Sequence, residues 1–380
     1  MDQEIWRKLV SGQGKGFADA FLLVFLRACS KLYGCVINVR NVLYTTGLFR
    51  VHRVKSTVIS IGNITTGGTG KTPMVIWLYN YLMEKHASSE SDYPIVILTR
   101  GYKAVDSKDS RDGKCLDEPA ALGQLCPNAK VIINADRVAG AKQAVEEFNT
   151  KIIITDDCFQ HRRLARDVDI VMIDVTQPFG ILRSSLSRLG ALEKGRLLPA
   201  GFLREPLEGL KRADAVILTR SDQVGSLELK QIKGNLIAEN PTMVIANSVH
   251  APVSAKMLDG KEVSLEELSN KKIFGFCGIG NPHAFFDTIK KVGAKVVGSR
   301  IFDDHYHYSE ADIKLIFKEA RERNAEMVLT THKDWTKTAF LKTHENDISF
   351  GYLQVEIKII SNEDEITELI DKAIEGKIAD

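Results

Sequence analysis

The chain has 380 residues, 44% of them apolar and 26% charged, the composition of a folded protein with at least one large core and room for two domains. Lysine plus arginine number 51 against 49 for aspartate plus glutamate, so no global basic field points to nucleic acid. The six cysteines, at 29, 35, 115, 126, 158 and 277, form no C-x-x-C pair and no zinc spacing, which fits free thiols in a reducing compartment.

The first element is an apolar stretch from Phe17 to Phe49, preceded by Arg7, Lys8 and Lys15. Charges at Asp19, Arg27, Lys31 and Arg40 interrupt it, so no window is expected to reach the ~20 predominantly apolar residues of a membrane span. The uncharged run Ala20–Leu26 is also short for a signal peptide. Phe21, Val24, Phe25, Ala28 and Leu32 fall at helical spacing. Two arrangements fit: a helix lying in a bilayer surface, or an amphipathic helix packed on the next domain.

From residue 56 strand-like runs alternate with helices. STVISIG (56–62) leads into GNITTGGTGKTP (62–73), and Pro73 suits the first turn of the helix that follows. YPIVILT (93–99), AKVIINA (129–135), KIIITDD (151–157), VDIVMID (168–174) and ADAVILT (213–219) are further apolar, β-branched runs. Strands apolar on both faces belong to parallel sheets covered by helices, so the fold class is α/β, doubly wound. The polar segment 220–240 reads as a helix near a junction. A second series, at 241–253, 271–278, 294–302 and 325–331, alternates with helices near 282–292 and 309–322; it is either a smaller α/β domain or a continuation of one large sheet. The working division is a helical segment over 1–50, a P-loop core over 51–240 and a smaller α/β domain over 241–380, ending in an acidic tail that reads as a solvated helix.

A strand, a glycine turn and Gly-Lys-Thr at a helix start are what a phosphate cradle needs: converging backbone N–H groups and a helix dipole. Thr66, Gly67, Gly68, Thr69, Gly70, Lys71 and Thr72 supply this, although Thr65 stands where the strict G-x-x-x-x-G-K-[ST] pattern has glycine. In such a loop Lys71 reaches the outer phosphates and Thr72 serves Mg²⁺. Asp156 and Asp157 close a hydrophobic strand, as a magnesium site in these folds requires. CFQHRRLARD follows, a basic stretch with His161, Arg162 and Arg163, in which Arg166 reads as a solvated turn residue. Arg100 and Tyr102, Asp136 and Arg137, Asp117 and Glu118, and Arg204 and Glu205 also sit where strands end. Several arginines at that edge suit a second anion besides the nucleotide, or each pairs with a nearby carboxylate.

GNITTGGTGKTP, TRGYK, DEP, DR, DDCFQHRRLARD, RLLPAGFLREP, RADAVILTR, GIGNPHAFF, FDDHYHY and LTTHKD occur here in the order seen in the tetraacyldisaccharide 4′-kinase family of lipid A biosynthesis, which the chain resembles from about residue 20 to about 340. The resemblance implies MgATP-dependent phosphoryl transfer to the 4′-hydroxyl of a tetraacylated glucosamine disaccharide 1-phosphate. It also implies a peripheral, monotopic enzyme on the cytoplasmic face of the inner membrane, docked by its N-terminal helix; no obligate protein partner is evident. By the same resemblance Lys71 is catalytic, Asp117 is the catalytic aspartate and His305 its partner. Thr72, Asp156, Asp157 and Glu205 surround the metal. Arg100, Tyr102, Arg137, Gln160, His161 and Arg204 bind substrate. Two departures stand out: Cys158 replaces glycine in the D-D-G-[LF]-Q-H pattern, and residues 181–194 are inserted between FG and GRLLP. A dimeric switch ATPase of the partitioning type is the alternative, but its loop carries a lysine where Thr66 stands. A GTP-dependent metal chaperone would need a metal-binding cysteine motif and N-K-x-D, and the sequence has neither.

Overall fold

The computed structural model describes residues 6, 9–10, 16–86, 94–101, 122–123, 125–180, 195–304, 306–341 and 348–379. Tyr102, Asp117, His305 and the 181–194 insertion lie outside them. The chain divides into two compact units: unit 1 is Met1–Arg100, Asn128–Val249 and Ile359–Asp380, and unit 2 is Gly101–Pro127 and His250–Lys358.

Among the described residues, unit 1 is built on seven parallel strands: β1 (Thr57–Asn63), β2 (Ile95–Thr99), β3 (Lys130–Ile133), β4 (Ile152–Asp156), β5 (Val168–Asp174), β6 (Ala215–Thr219) and the first half of β7 (Val244–Met257). Their order is β7-β6-β5-β1-β4-β2-β3, with Ile59 of β1 opposite Ile154 of β4 and Val168 of β5. β1, β2, β4, β5 and β6 are buried along their whole length, as their unbroken β-branched sequences require. Their side chains feed two apolar clusters, one around Val171, Ile173, Val216 and Leu236, the other around Val58, Val96, Leu98 and Ala141. Each fully buried Ile, Leu or Val contributes about 1.5–3 kcal/mol against conformational entropy. The chain steps from β1 outward to β2 and β3, returns to β4, then crosses to β5. β1 therefore lies at the point where strand order reverses, the position that opens a ligand crevice at the carboxyl ends of the strands.

Unit 1 carries the helices α1 (Phe17–Thr45), α2 (Lys71–His86), α3 (Arg137–Phe148) and α4 (Ser226–Glu239). Asp136 caps α3 by accepting from the Val138 and Ala139 N–H groups. α1 corrects one expectation: by length and composition it is long and apolar enough to cross a membrane, despite its charges. Leu26, Ser30, Gly34 and Ile37 form its buried stripe, while Phe17, Phe21, Val24, Phe25, Leu32, Val36 and Val39 are exposed.

In unit 2, β9 (Lys272–Cys277), β10 (Lys295–Ile301), β11 (Met327–Thr331) and β12 (Ser349–Ser361) run parallel in the order β10-β9-β11-β12, and β8 (Glu262–Ser264) pairs antiparallel with the second half of β7. The short α5 (Leu265–Leu268) is followed by α6 (Pro282–Lys291), α7 (Glu310–Glu322) and α8 (His332–Thr338). β7 and β12 each carry the chain from one unit into the other.

The last helix, α9 (Glu363–Ala379), returns to unit 1 and packs on β1 and β5. It is not the solvated helix expected: Ile366, Ile370 and Ile374, spaced by four, are buried, and only the opposite face is acidic. The Tyr81 hydroxyl donates to Asp371 at 2.9 Å, Lys85 pairs with the same carboxylate, and Lys377 pairs with Asp167 at 2.9 Å.

Candidate active site

The glycine loop leaves β1 at Asn63 and enters α2 at Lys71. Gly67 and Gly70 hold φ of 120° and 91°, a region that side chains avoid, and a Cβ added at Gly67 would meet nothing within 4 Å. That open, amide-lined turn is the shape an oligophosphate fills. At Gly62 a Cβ would come within 2.5 Å of Phe159, so glycine is needed there for close packing.

Buried side chains brace the loop from beneath. Asn63 Nδ2 donates to Thr69 Oγ1 at 3.1 Å, and Thr219 Oγ1 at the end of β6 donates to the Thr69 carbonyl at 3.1 Å. Arg220, in the left-handed region with φ of 57°, donates from Nη1 and Nη2 to the Gly68 carbonyl at 3.2 Å and pairs with Asp174 at the end of β5. Nothing in the spacing of the RADAVILTR run, which Arg220 closes, signals this role.

Asp157 stands at the end of β4 between two cations: Lys71 Nζ at 3.5 Å, and Arg204 Nη1, which donates to both carboxylate oxygens at 2.8 and 2.9 Å. Burial opposes its ionisation, but Lys71 and Arg204, with Arg137 behind them, hold the carboxyl well below the usual carboxylate range. Asp157 has a φ of 55°. The left-handed residue of this turn is thus the aspartate, a type that tolerates it, and not Cys158. Cys158 packs wholly inside the core beside Val58 and Leu164, where burial pushes its thiol up.

Arg204 is held through its main chain as well. Its N–H donates to the Ile64 carbonyl at 2.8 Å and its carbonyl accepts from the Tyr33 hydroxyl at 2.7 Å. The neighbouring Glu205 is fully buried: Oε1 accepts from Gln160 Nε2 at 2.8 Å and Oε2 from Arg212 at 2.7 Å. Gln160 also donates to the Asn63 carbonyl at 2.7 Å, so Glu205 and Gln160 tie the loop to the 204–212 segment.

The structure relocates Arg137 in the same way. It is 1% exposed and donates to the Asn134 and Asp156 carbonyls at 2.7 and 2.9 Å. The guanidinium thus braces the turn that carries Asp156 and Asp157. Arg166 is likewise not solvated, since it forks onto Asp169 and donates to the His161 and Leu164 carbonyls. Of the other expected substrate groups, Arg100 is exposed at the end of β2 and His161 is half-buried, its imidazole depressed by burial and then by Arg137.

In unit 2 the conspicuous FDDHYHY and LTTHKD segments meet. Lys333 Nζ pairs with Asp304 at 2.9 Å, Lys337 Nζ donates to the Tyr306 carbonyl at 3.2 Å, and the Tyr308 hydroxyl donates to Asp334 Oδ1 at 3.0 Å. Asp334 is fully buried and also accepts from the Gly278 N–H and the Thr331 hydroxyl. The first turns of α8 therefore clasp the segment on both sides of position 305.

A parallel sheet whose first strand delivers a left-handed glycine turn and a helix-initial lysine, beside an ionised aspartate on the adjacent strand end, defines a P-loop nucleotide-binding protein. The family model described as tetraacyldisaccharide-1-P 4'-kinase matches residues 22–375. A tetraacyldisaccharide 4'-kinase of Halothermothrix orenii is 34% identical, with 96% of both chains covered, and one of Chlorobaculum parvum is 36% identical over 83% of this chain and 84% of its own. A crystal structure described as the "apo" form of LpxK from Aquifex aeolicus in complex with ATP matches with a TM-score of 0.65 and 28% identity, over 93% of this chain and 99% of that one. The chain belongs to the tetraacyldisaccharide-1-P 4'-kinase family. That membership sets aside the switch-ATPase alternative.

Proposed function

We propose that this chain transfers the γ-phosphoryl group of ATP to the 4′-hydroxyl of a tetraacylated glucosamine disaccharide 1-phosphate. The observation that carries this is the loop itself: Gly67 and Gly70 in left-handed geometry and Lys71 beside Asp157, in a chain that the family model spans from residue 22 to 375. Backbone N–H groups of the turn beyond Thr66 would hold the phosphates, and Lys71 would balance charge on the transferring group. Thr72, Asp156 and Asp157 would hold Mg²⁺; the ionised Asp157 is the hard oxygen donor that such an ion needs. The ion, when bound, supplies further charge neutralisation on the phosphates. Arg204 and Arg100 are put forward for the anionic groups of the substrates.

Transfer to a sugar hydroxyl needs a group to take its proton, and Asp117 with His305 as its partner is the proposed pair. Both come from the family resemblance and lie outside the described residues. The exposed apolar face of α1, with Arg27 and Lys31 also exposed on the helix, supports docking on the surface of a membrane that holds the acyl chains. The cytoplasmic face of the inner membrane is the surface this reading requires, because ATP is there.

The test is direct. With γ-labelled ATP and tetraacyl disaccharide 1-phosphate in mixed micelles, label should move to the lipid on a thin-layer plate. Label released only as inorganic phosphate would overturn the kinase reading.

A further inference from the structure

α1 reaches toward the phosphate site through side-chain hydroxyls that donate to main-chain carbonyls. On its buried stripe the Ser30 hydroxyl donates to the Leu197 carbonyl at 2.8 Å, and the Tyr33 hydroxyl donates to the Arg204 carbonyl at 2.7 Å. Gly34 lies against Leu197, where an added Cβ would stand 2.8 Å from the leucine methyl. Just upstream, Trp6 donates to the Pro199 carbonyl at 2.8 Å and packs edge-on against Phe202. The 195–204 segment is thereby clamped from one side by the N-terminal region.

From its other side the same segment grips the glycine loop. The Thr66 N–H donates to the Phe202 carbonyl at 2.8 Å, Thr65 bridges to Leu203, and the Arg204 N–H donates to Ile64. The backbone of one residue, Arg204, thus receives α1 on its carbonyl and gives to the nucleotide loop on its amide, while its side chain forks onto Asp157. These atoms flank one Cα, so a change in the φ and ψ of Arg204 moves all three contacts.

We propose that Tyr33, assisted by Ser30, is a positioning residue of the phosphate site: from α1 it sets the backbone on both sides of the Arg204 Cα, and through it the guanidinium on Asp157 and the register of the glycine loop. The inference rests on the kinase reading for its kinetic arm only. Burial pushes the Tyr33 phenol up, so the hydroxyl keeps its proton and remains a donor at neutral pH. The apolar half of α1 faces outward while its polar groups hold the 195–204 segment, so one helix serves two surfaces that mutation can separate.

The experiment uses the full chain with Tyr33→Phe, Ser30→Ala, the double variant, and Phe21→Ser with Phe25→Ser on the exposed face. Loss of one such hydrogen bond should lower kcat about three- to tenfold in Tyr33→Phe, with the lipid KM and vesicle binding unchanged. In an Arg204→Ala background the same substitution should have almost no further effect, because both act on one arrangement. Independently of activity, hydrogen exchange at the Thr66 and Arg204 amides should quicken in Tyr33→Phe and stay at the wild-type rate in the exposed-face variants, which should instead lose vesicle binding. Unchanged exchange and unchanged kcat in Tyr33→Phe would overturn the proposal, as would an equal loss with and without Arg204. If wild type fails to phosphorylate lipid, the kinase reading falls, and the exchange measurement alone decides the positioning role. Should Tyr33→Phe fold poorly, Ser30→Ala carries the same two readouts.

Discussion

At the scale of single residues the site is a contest over one carboxylate. Asp157 stays ionised because two cations outweigh the cost of burying it. Lys71→Ala removes one of them together with the charge that the transferring phosphoryl group needs; kcat should fall by at least 10²-fold, a loss of about 3–4 kcal/mol, with the fold intact by circular dichroism. A near wild-type kcat would show that 62–73 is not the nucleotide loop. The depressed Asp157 pKa also fixes a sign: its contribution to stability is present above the unfolded carboxylate value, about 3.9, and is lost as pH falls below it through the folded value. Asp157→Asn should therefore narrow the stability gap to wild type at pH 3 compared with pH 7, as read by thermal melts. For the proposed base pair, Asp117→Ala and His305→Ala should each cut kcat strongly, leave the ATP KM little changed, and combine less than additively; full additivity would leave the pair without support. The loop residues were legible in the sequence because glycine and lysine at that spacing have few other uses. The partners of Arg137, Arg166, Gln160 and Glu205 were not, because a polar residue at a strand end can face ligand or backbone, and only the fold shows the carbonyls and carboxylates these four hold.

At the scale of elements, β1, β2, β4, β5, β6 and the strands β9 to β11 stand within a few residues of the apolar runs that announce them, since a strand buried on both faces leaves little else for its sequence to encode. β12 escaped notice: its latter half, VEIKIIS, alternates between buried and exposed positions, and it lies among charged neighbours. α9 was misjudged because its three buried isoleucines sit one per turn in an acidic helix, a narrow stripe easily outweighed by composition. That stripe makes a measurable claim. Ile370→Ala should destabilise unit 1 by about 2–5 kcal/mol, the usual cost of deleting a fully buried isoleucine side chain, and lower the denaturation midpoint accordingly. A change within 0.5 kcal/mol, as on a solvated surface, would show that α9 does not hold β1 and β5.

At the scale of the whole molecule, acid should act on unit 2 through His332. Burial and then Lys256 depress its imidazole to about 4, and the ring sits edge-on 4.8 Å from Tyr352. The unfolded chain binds that proton near 6.5 and the folded chain does not, so stability falls as pH drops from 6.5 toward 4. His332→Gln should flatten the melting temperature between pH 7 and 5; an unchanged slope would place the sensitivity elsewhere. The route of the chain has a further consequence, one of time. Unit 1 closes only with residues 359–380, and α9 covers β1, the strand that delivers the nucleotide loop. At about 5–20 residues per second on the ribosome, β1 waits on the order of tens of seconds for that cover while all of unit 2 is made. A nascent chain halted before residue 359 lacks the isoleucine stripe of α9 and leaves that face of β1 and β5 uncovered for the whole of this interval.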